Sequence, residues 1–162
     1  MTCLFELSIA LLITLLNGFF VMAEYSLVRI RKSRLDELIR QGKSRANTVL
    51  KMSEKLDTYL SATQLGITAS SLLLGWFGGP LLAEMFRGMF GISAGSWYDH
   101  SLVFACAFLI IVFLHVVFGE LVPRTIALGK VEQVAMAVAY PLVFFHYLLY
   151  PEPNTKAYRL KV

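Results

Sequence analysis

Charged residues are scarce in this sequence. They make up only 16% of its 162 residues, whereas 57% are hydrophobic and the mean hydropathy is +0.63. A water-soluble domain carries about 25% charged residues, so that class of protein is excluded. Charge is absent from the stretches 7–23, 58–83 and 101–119, each about as long as a helix that crosses a hydrocarbon core of roughly 30 Å. The composition predicts an all-α integral membrane protein.

Cysteines and the usual patterns of enzyme sites are also lacking. Cys3 and Cys106 lie near the terminus and inside an uncharged stretch, without the spacing of a metal site. The sequence contains no Ser/His/Asp grouping, no His-Glu-x-x-His pattern and no phosphate-binding glycine loop. We therefore expect that the protein is not an enzyme.

Positive charge is concentrated between the first two uncharged stretches. Within 29–57, four acidic residues face nine basic ones, which are Arg29, Arg31, Lys32, Arg34, Arg40, Lys43, Arg45, Lys51 and Lys55. This excess is typical of a cytoplasmic loop beside anionic lipid, and we expect no binding to nucleic acid. The prediction is a multi-pass protein of the plasma membrane, with its N-terminus outside and its C-terminus in the cytoplasm.

The uncharged stretches and the basic segment predict the order of the helices. We predict three transmembrane helices at about 4–28, 58–83 and 100–122. A juxtamembrane helix pair at about 30–56 is interrupted by Gly42, and a belt-like interfacial helix at about 131–150 is followed by a polar tail at 151–162.

Two proline-containing segments give further expectations. The last apolar segment contains Pro141, and if it crossed the membrane the basic tail would lie outside, against the positive-inside rule. It is therefore predicted not to cross. Gly78-Gly79-Pro80 should break the second span near its outer end.

Glu120 directly follows the third uncharged stretch. A carboxylate at membrane depth costs roughly 2.5 to 3.5 kcal/mol and by default indicates a functional site. Pro123 has no N–H to donate to the carbonyl four residues back, so Gly119 should carry a free backbone oxygen beside that carboxylate. Two hard oxygen ligands suit a cation. The alternative is that Glu120 lies at the interface and only ends the span.

Other polar side chains in the first two spans are candidate ligands. Asn17 and Glu24 are seven residues apart on one helical face. Thr68 and Ser71 share a stripe of the second helix, and Ser70 lies on the adjacent strip, at the depth of Asn17. Oxygen donors favour Mg²⁺, Ca²⁺ or Na⁺. The hydroxyls could instead bond their own backbone or mediate helix packing.

One further polar residue, His115, precedes Gly119 by one helical turn. It is interpreted as a hydrogen-bonded interior histidine, the alternative being a ligand, and is assigned no role.

Four blocks of sequence occur in a characteristic order. They are Asn17-Gly18-Phe19-Phe20 with Ala23-Glu24, the basic Arg29-Ile30-Arg31-Lys32-Ser33-Arg34-Leu35, Leu60-Ser61-Ala62-Thr63-Gln64-Leu65-Gly66-Ile67-Thr68, and His115-Val116-Val117-Phe118-Gly119-Glu120-Leu121-Val122-Pro123-Arg124. In this order they resemble the transmembrane domain shared by CorC and CNNM magnesium transporters.

The resemblance implies a homodimer with three transmembrane helices per subunit, which exports Mg²⁺ with Na⁺ as the possible counter-ion. It also implies that polar side chains of the first two helices and Gly119-Glu120, at the kink made by Pro123, hold the ion. Many relatives carry serine where this chain has Val21 and Ala23, and asparagine at several positions of the second helix. The site here therefore has fewer strong donors.

Relatives of this kind continue into cytoplasmic CBS domains, which this sequence does not contain, so any ATP response lies outside it. Two other functions fit the same residues. The chain could be a non-transporting membrane scaffold for a regulatory CBS domain, or a Na⁺ or H⁺ carrier that Mg²⁺ regulates.

Overall fold

The computed structural model describes residues 2–90 and 97–149, which are almost entirely helical. In chain order the helices are α1 (Thr2–Arg29), α2 (Lys32–Arg40), α3 (Ser44–Glu54), α4 (Leu56–Phe90), α5 (Trp97–Leu114), α6 (Val122–Gly129) and α7 (Val131–Leu149). A π-helical segment, His115–Leu121, joins α5 to α6 without a break. The predicted all-α membrane fold is confirmed, and the predicted polar tail lies outside the described residues.

Three long helices form the bundle that positions the candidate site. Ile13 of α1, Leu74 of α4 and Ile111 of α5 make one buried apolar layer. Further along α1, the Phe20 ring covers Gly66 of α4, where an added Cβ would lie 2.6 Å from that ring. Residue numbers rise along α1 while they fall along α4, so these two helices are antiparallel. The chain segment from α5 to α6 runs parallel to α1.

The basic segment forms the two short amphipathic helices that the sequence predicts. α2 buries Leu35 and Leu38, α3 buries Ala46 and Val49, and all four belong to one core cluster with residues of α1 and α7. α2 packs mainly on α3, and α3 packs on α7, α1 and α4. Gly42 turns the chain between them with a φ of +80°, a conformation that glycine adopts without steric cost. Their charged faces stay exposed.

Three stretches of the described residues are long and apolar enough to cross a membrane, namely Leu7–Arg29, Phe108–Gly129 and Val131–Leu149. This set contains α7, which the sequence predicts not to cross. α4 has 35 residues and packs along both α1 and α5, so its position in the bundle is that of a spanning helix.

The packing of α7 covers only one half of the bundle. Glu132, near its start, receives a hydrogen bond from Arg34 Nε at 2.6 Å, and Phe145, near its end, lies 4.6 Å from Phe20 between ring centroids. The layer that contains Ile13 is about 10 Å further along α1. α7 therefore packs along the half of α1 that lies next to α2 and α3, which favours the belt-like arrangement. That it does not cross the membrane stays a prediction.

The expected break at Gly78-Gly79-Pro80 is wrong, because α4 continues through Pro80 to Phe90 as one helix. Gly78 packs directly against the Ile111 side chain, since a Cβ there would lie 1.9 Å from Ile111 Cδ1. Proline is tolerated in membrane helices when surrounding groups compensate for the lost backbone bond. Gly78 serves close helix contact, and the Gly78-Gly79-Pro80 segment does not end the helix.

Candidate cation site

The centre of the candidate site is a crossing between α1 and the π-helical segment. Asn17 Nδ2 donates a hydrogen bond to the Gly119 carbonyl oxygen at 2.9 Å, and both groups are buried. The carbonyl is thus engaged from another helix, as expected if it has left the ladder of its own helix. Asn17 is only 1% exposed, and its Oδ1 is buried without a hydrogen-bond partner.

Pro123 explains why this carbonyl is available. Without an N–H, position 123 cannot donate to Gly119, its α-helical partner, or to Phe118, its π-helical partner. The helix widens ahead of the proline, so that the Val122 N–H donates to the Val117 carbonyl five residues back. The expected kink is therefore a π-helical bulge within a continuous helix.

Gly18 lets the two helices approach at this proline. A Cβ at position 18 would lie 2.9 Å from Pro123 Cγ, which is closer than side-chain carbons normally come. Asn17 can therefore reach Gly119 because its neighbour has no side chain.

His115 belongs to this site, although a single histidine in an apolar stretch is typical of an interior residue and is assigned no role from the sequence. Its Nε2 lies 3.2 Å from Ser71 Oγ of α4, and its Nδ1 is buried without a partner. Gly119 is equally crowded, because a Cβ there would lie 3.0 Å from His115 Nδ1 and 3.2 Å from Asn17 Nδ2. Three helical segments thus place Asn17, Gly119, His115 and Ser71 together.

The spacing of His115 and Gly119 is a signal in the sequence that could have identified this role. Residues four apart share a helix face, so a histidine that precedes a predicted ligand carbonyl by one turn must face the same neighbours. The contact with Ser71 depends on the alignment of α4 with α5, which no local pattern specifies.

The two carboxylates lie close enough to interact. Glu24 is half-buried on α1, within hydrogen-bonding range of Gln64 of α4, and within electrostatic range of Glu120. Glu120 also interacts electrostatically with His115, and its side chain is exposed. Glu120 therefore connects the buried crossing to the more open part of the site.

The hydroxyls of α4 follow the alternative that they bond their own helix. Thr68 Oγ1 donates to the Gln64 carbonyl, Ser70 Oγ to Gly66 and Ser71 Oγ to Ile67, at 2.9, 2.8 and 2.9 Å. Of these three, Ser71 also contacts another helix of the site. Thr68 is exposed and Ser70 is buried. Their oxygens keep lone pairs for a ligand, but their protons are used within α4.

The donor set of this site is mixed. Among the side chains that the structure describes, no three of His, Cys, Asp or Glu are close enough together to hold a metal ion. An ion at the crossing would be held by amide, carbonyl and hydroxyl oxygens, with Glu24 and Glu120 for charge. Such ligands fit a hard cation.

Comparison with known proteins identifies the kind of domain to which this site belongs. Residues 7–153 match the family described as the cyclin M transmembrane N-terminal domain. The chain is 42% identical over 137 residues to the UPF0053 protein YugS of Bacillus subtilis, covering 84% of this chain and 32% of that protein.

Two more relatives agree with this match. UPF0053 protein YrkA of Bacillus subtilis is 39% identical over 147 residues, covering 90% of this chain and 34% of that protein. An uncharacterized protein of Mycobacterium tuberculosis is 39% identical over 143 residues, covering 88% of this chain and 41% of that protein. The chain spans about a third of the length of the Bacillus relatives.

Proposed function

The chain belongs to the family described as the cyclin M transmembrane N-terminal domain, a transporter-type family of multi-pass membrane proteins, and on that premise we propose that it moves Mg²⁺ across the membrane. The observation that supports this proposal is the buried crossing of Asn17 and Gly119, which leaves the Asn17 amide oxygen without a partner. Glu120 directly follows Gly119, and Glu24 lies within electrostatic range of Glu120. Mg²⁺ prefers oxygen ligands, and in a protein it is commonly bound by one or two carboxylates.

The apolar layer of Ile13, Leu74 and Ile111 lies one helical turn from Asn17, towards the start of α1. A constriction of this kind blocks a hydrated ion. In our proposal Mg²⁺ reaches the site from the side of α2 and α3, and the layer must open before the ion can leave. The direction is export, and Na⁺ entering through the same helices supplies the driving force.

The orientation and partners form part of the same proposal. The N-terminus lies outside, and the basic pair α2 and α3 lies against anionic lipid of the cytoplasmic leaflet. Two copies of the chain form a homodimer. In a longer protein, cytoplasmic CBS domains follow α7 and regulate transport.

Ion flux into liposomes tests the proposal directly. The purified chain is reconstituted, and uptake of Mg²⁺, Ca²⁺, Co²⁺ and Na⁺ is compared with and without an opposing Na⁺ gradient. We expect saturable Mg²⁺ flux that an opposing Na⁺ gradient accelerates. Glu120→Gln should abolish it, because the neutral side chain cannot offset the dehydration of a divalent ion. Na⁺ or H⁺ flux without Mg²⁺ flux would make the chain a carrier that Mg²⁺ regulates.

A membrane scaffold is the second candidate, and the hydroxyls of α4 favour it, because they bond within their own helix. A scaffold needs only its assembly, so it should tolerate Glu120→Gln. The control is the dimer fraction on size-exclusion chromatography. A variant that keeps the dimer and loses flux supports transport, whereas a wild-type dimer without any flux supports the scaffold.

A further inference from the structure

Two acceptor atoms are buried without partners at the α1 crossing, Asn17 Oδ1 and His115 Nδ1. The orientation of the amide is fixed, because Asn17 Nδ2 must point to the Gly119 carbonyl to donate its hydrogen bond. Oδ1 therefore points elsewhere and presents only lone pairs. A buried polar atom without a partner costs free energy, so this arrangement is explained best by a ligand that supplies positive charge.

The contacts of Ser71 bear on which nitrogen of His115 carries the proton. Ser71 Oγ has one hydrogen and lies 2.9 Å from the Ile67 carbonyl, which can only accept, and 3.2 Å from His115 Nε2. With that hydrogen on the shorter bond to the carbonyl, Oγ accepts from an Nε2–H. In the neutral ring Nδ1 is then bare, and a bare imidazole nitrogen is the form that binds metal.

The position of Nδ1 places it within the same crossing. It lies beside the Cα of Gly119, since a Cβ there would be 3.0 Å from Nδ1 and 3.2 Å from the Asn17 amide nitrogen. Glu120 is within electrostatic range of the ring.

We propose that His115 Nδ1 is a nitrogen ligand of the transported cation, and that it makes the site prefer Mn²⁺ to Mg²⁺. This inference rests on the proposed cation site and specifies its substrate class. Mg²⁺ takes oxygen ligands almost exclusively, whereas first-row transition metals bind imidazole well. Ser71 acts as the partner that orients the ring and keeps its proton on Nε2.

Pulsed electron paramagnetic resonance of Mn²⁺ tests this ligand without measuring transport. The chain in lipid nanodiscs is loaded with Mn²⁺, and the spin echo is examined for strong modulation by ¹⁴N, which indicates a nitrogen bound to the metal. Mg²⁺ is then titrated against bound Mn²⁺ to give the ratio of the two affinities. We expect ¹⁴N modulation and an excess of Mg²⁺ needed for displacement.

Three variants test whether the nitrogen bound to Mn²⁺ belongs to His115. His115→Gln should remove the modulation and weaken Mn²⁺ binding more than Mg²⁺ binding, because the glutamine oxygen still suits Mg²⁺. Ser71→Ala should weaken Mn²⁺ binding by about tenfold, as is typical when the partner of a metal-bound histidine is lost. The matched control is His146→Gln, which changes the buried histidine that stacks on Tyr59 away from the crossing, and it should keep the modulation.

The outcomes separate this inference from the proposed function. Mn²⁺ could bind and be displaced by Mg²⁺ without showing ¹⁴N modulation. That result would overturn the role of His115 and leave the proposed cation site standing. Modulation that survives His115→Gln would also overturn it. Absence of any saturable Mn²⁺ or Mg²⁺ binding would overturn both proposals together.

Discussion

The guanidinium of Arg124 lies over the Tyr25 ring, 4.5 Å from its centroid, although Glu120 precedes Arg124 by one helical turn. Charges four residues apart on a helix commonly pair. The aromatic ring of α1 thus offers Arg124 another favourable contact. Glu120 forms no salt bridge in the part of the chain that the structure describes, so its charge is available to a cation.

Tyr25→Leu should lower the apparent Mg²⁺ affinity by about two- to fivefold. The expected size follows from the roughly 0.5 to 1 kcal/mol of a cation–π contact. Without the ring, Arg124 can turn to Glu120 and compete with the ion. Tyr25→Phe keeps the aromatic face and is the matched control. Isothermal titration with Mg²⁺ measures both, and equal affinities of the two variants would contradict this competition.

Gly66→Ala should destabilise the domain by about 1 to 3 kcal/mol, the usual cost of overpacking. The new methyl group would meet the Phe20 ring at 2.6 Å, and that ring is buried between α4 and Phe145 of α7. Gly75→Ala is the control on the same helix, because a Cβ there has no atom within 4 Å. It should be neutral or gain up to about 1 kcal/mol from helix propensity. Thermal unfolding in detergent compares the two, and similar unfolding temperatures would argue against this packing.

Much of the fold follows from local chemistry in the sequence. The uncharged stretches specify long helices, because lipid leaves a backbone no other way to bond. Gly42 separates α2 from α3, where its position between two amphipathic patterns predicts a turn. The freed carbonyl of Gly119 can be predicted from Pro123 alone, since proline has no backbone N–H in any conformation.

What the sequence does not predict depends on contacts between distant segments. The role of His115 needs the alignment of α4 with α5, which places Ser71 opposite its ring. The continuity of α4 through Pro80 is set by packing, which overrides the local preference of proline. The direction in which Arg124 points depends on Tyr25 of another helix.

Topology can be tested with single cysteines at Lys43 and Lys156, in a background where Cys3 and Cys106 are replaced by serine. Lys43 precedes α3, whereas Lys156 lies outside the described residues. We expect a membrane-impermeant maleimide to label both only from the cytoplasmic side, because α7 is expected not to cross. A cysteine at Trp97 should label from outside and serves as the control. Labelling of position 156 only from outside would establish α7 as a spanning helix.

The triple substitution of Arg31, Lys32 and Arg34 by Gln should reduce correct insertion and thermal stability. Arg34 also ties α2 to α7, and its hydrogen bonds to Glu132 and Glu37 raise the pKa of its guanidinium above the ordinary value. The contribution of the three charges should weaken with salt, since they are exposed. Ion selectivity in liposomes should not change, and a change would place this segment on the ion pathway.

Pro123→Ala and Glu120→Gln test the two halves of the cation site. Alanine restores an N–H at position 123, which can reclaim the Gly119 carbonyl for the helix ladder and so compete with the bond from Asn17. Ion binding should weaken although no ligand side chain is lost. Glu120→Gln should weaken it further, because it removes the charge that offsets the dehydration of Mg²⁺.

Mg²⁺-dependent thermal stabilisation of the purified domain measures both variants, because a ligand that binds only the folded state raises stability by mass action. Thr125→Ala is the control, since Thr125 Oγ1 bonds the Leu121 carbonyl of the same helix and its side chain is exposed. It should keep the wild-type response. If Pro123→Ala and Glu120→Gln also keep it, the ion binds elsewhere, and the carbonyl that Pro123 frees serves only to join α1 to the π-helical segment.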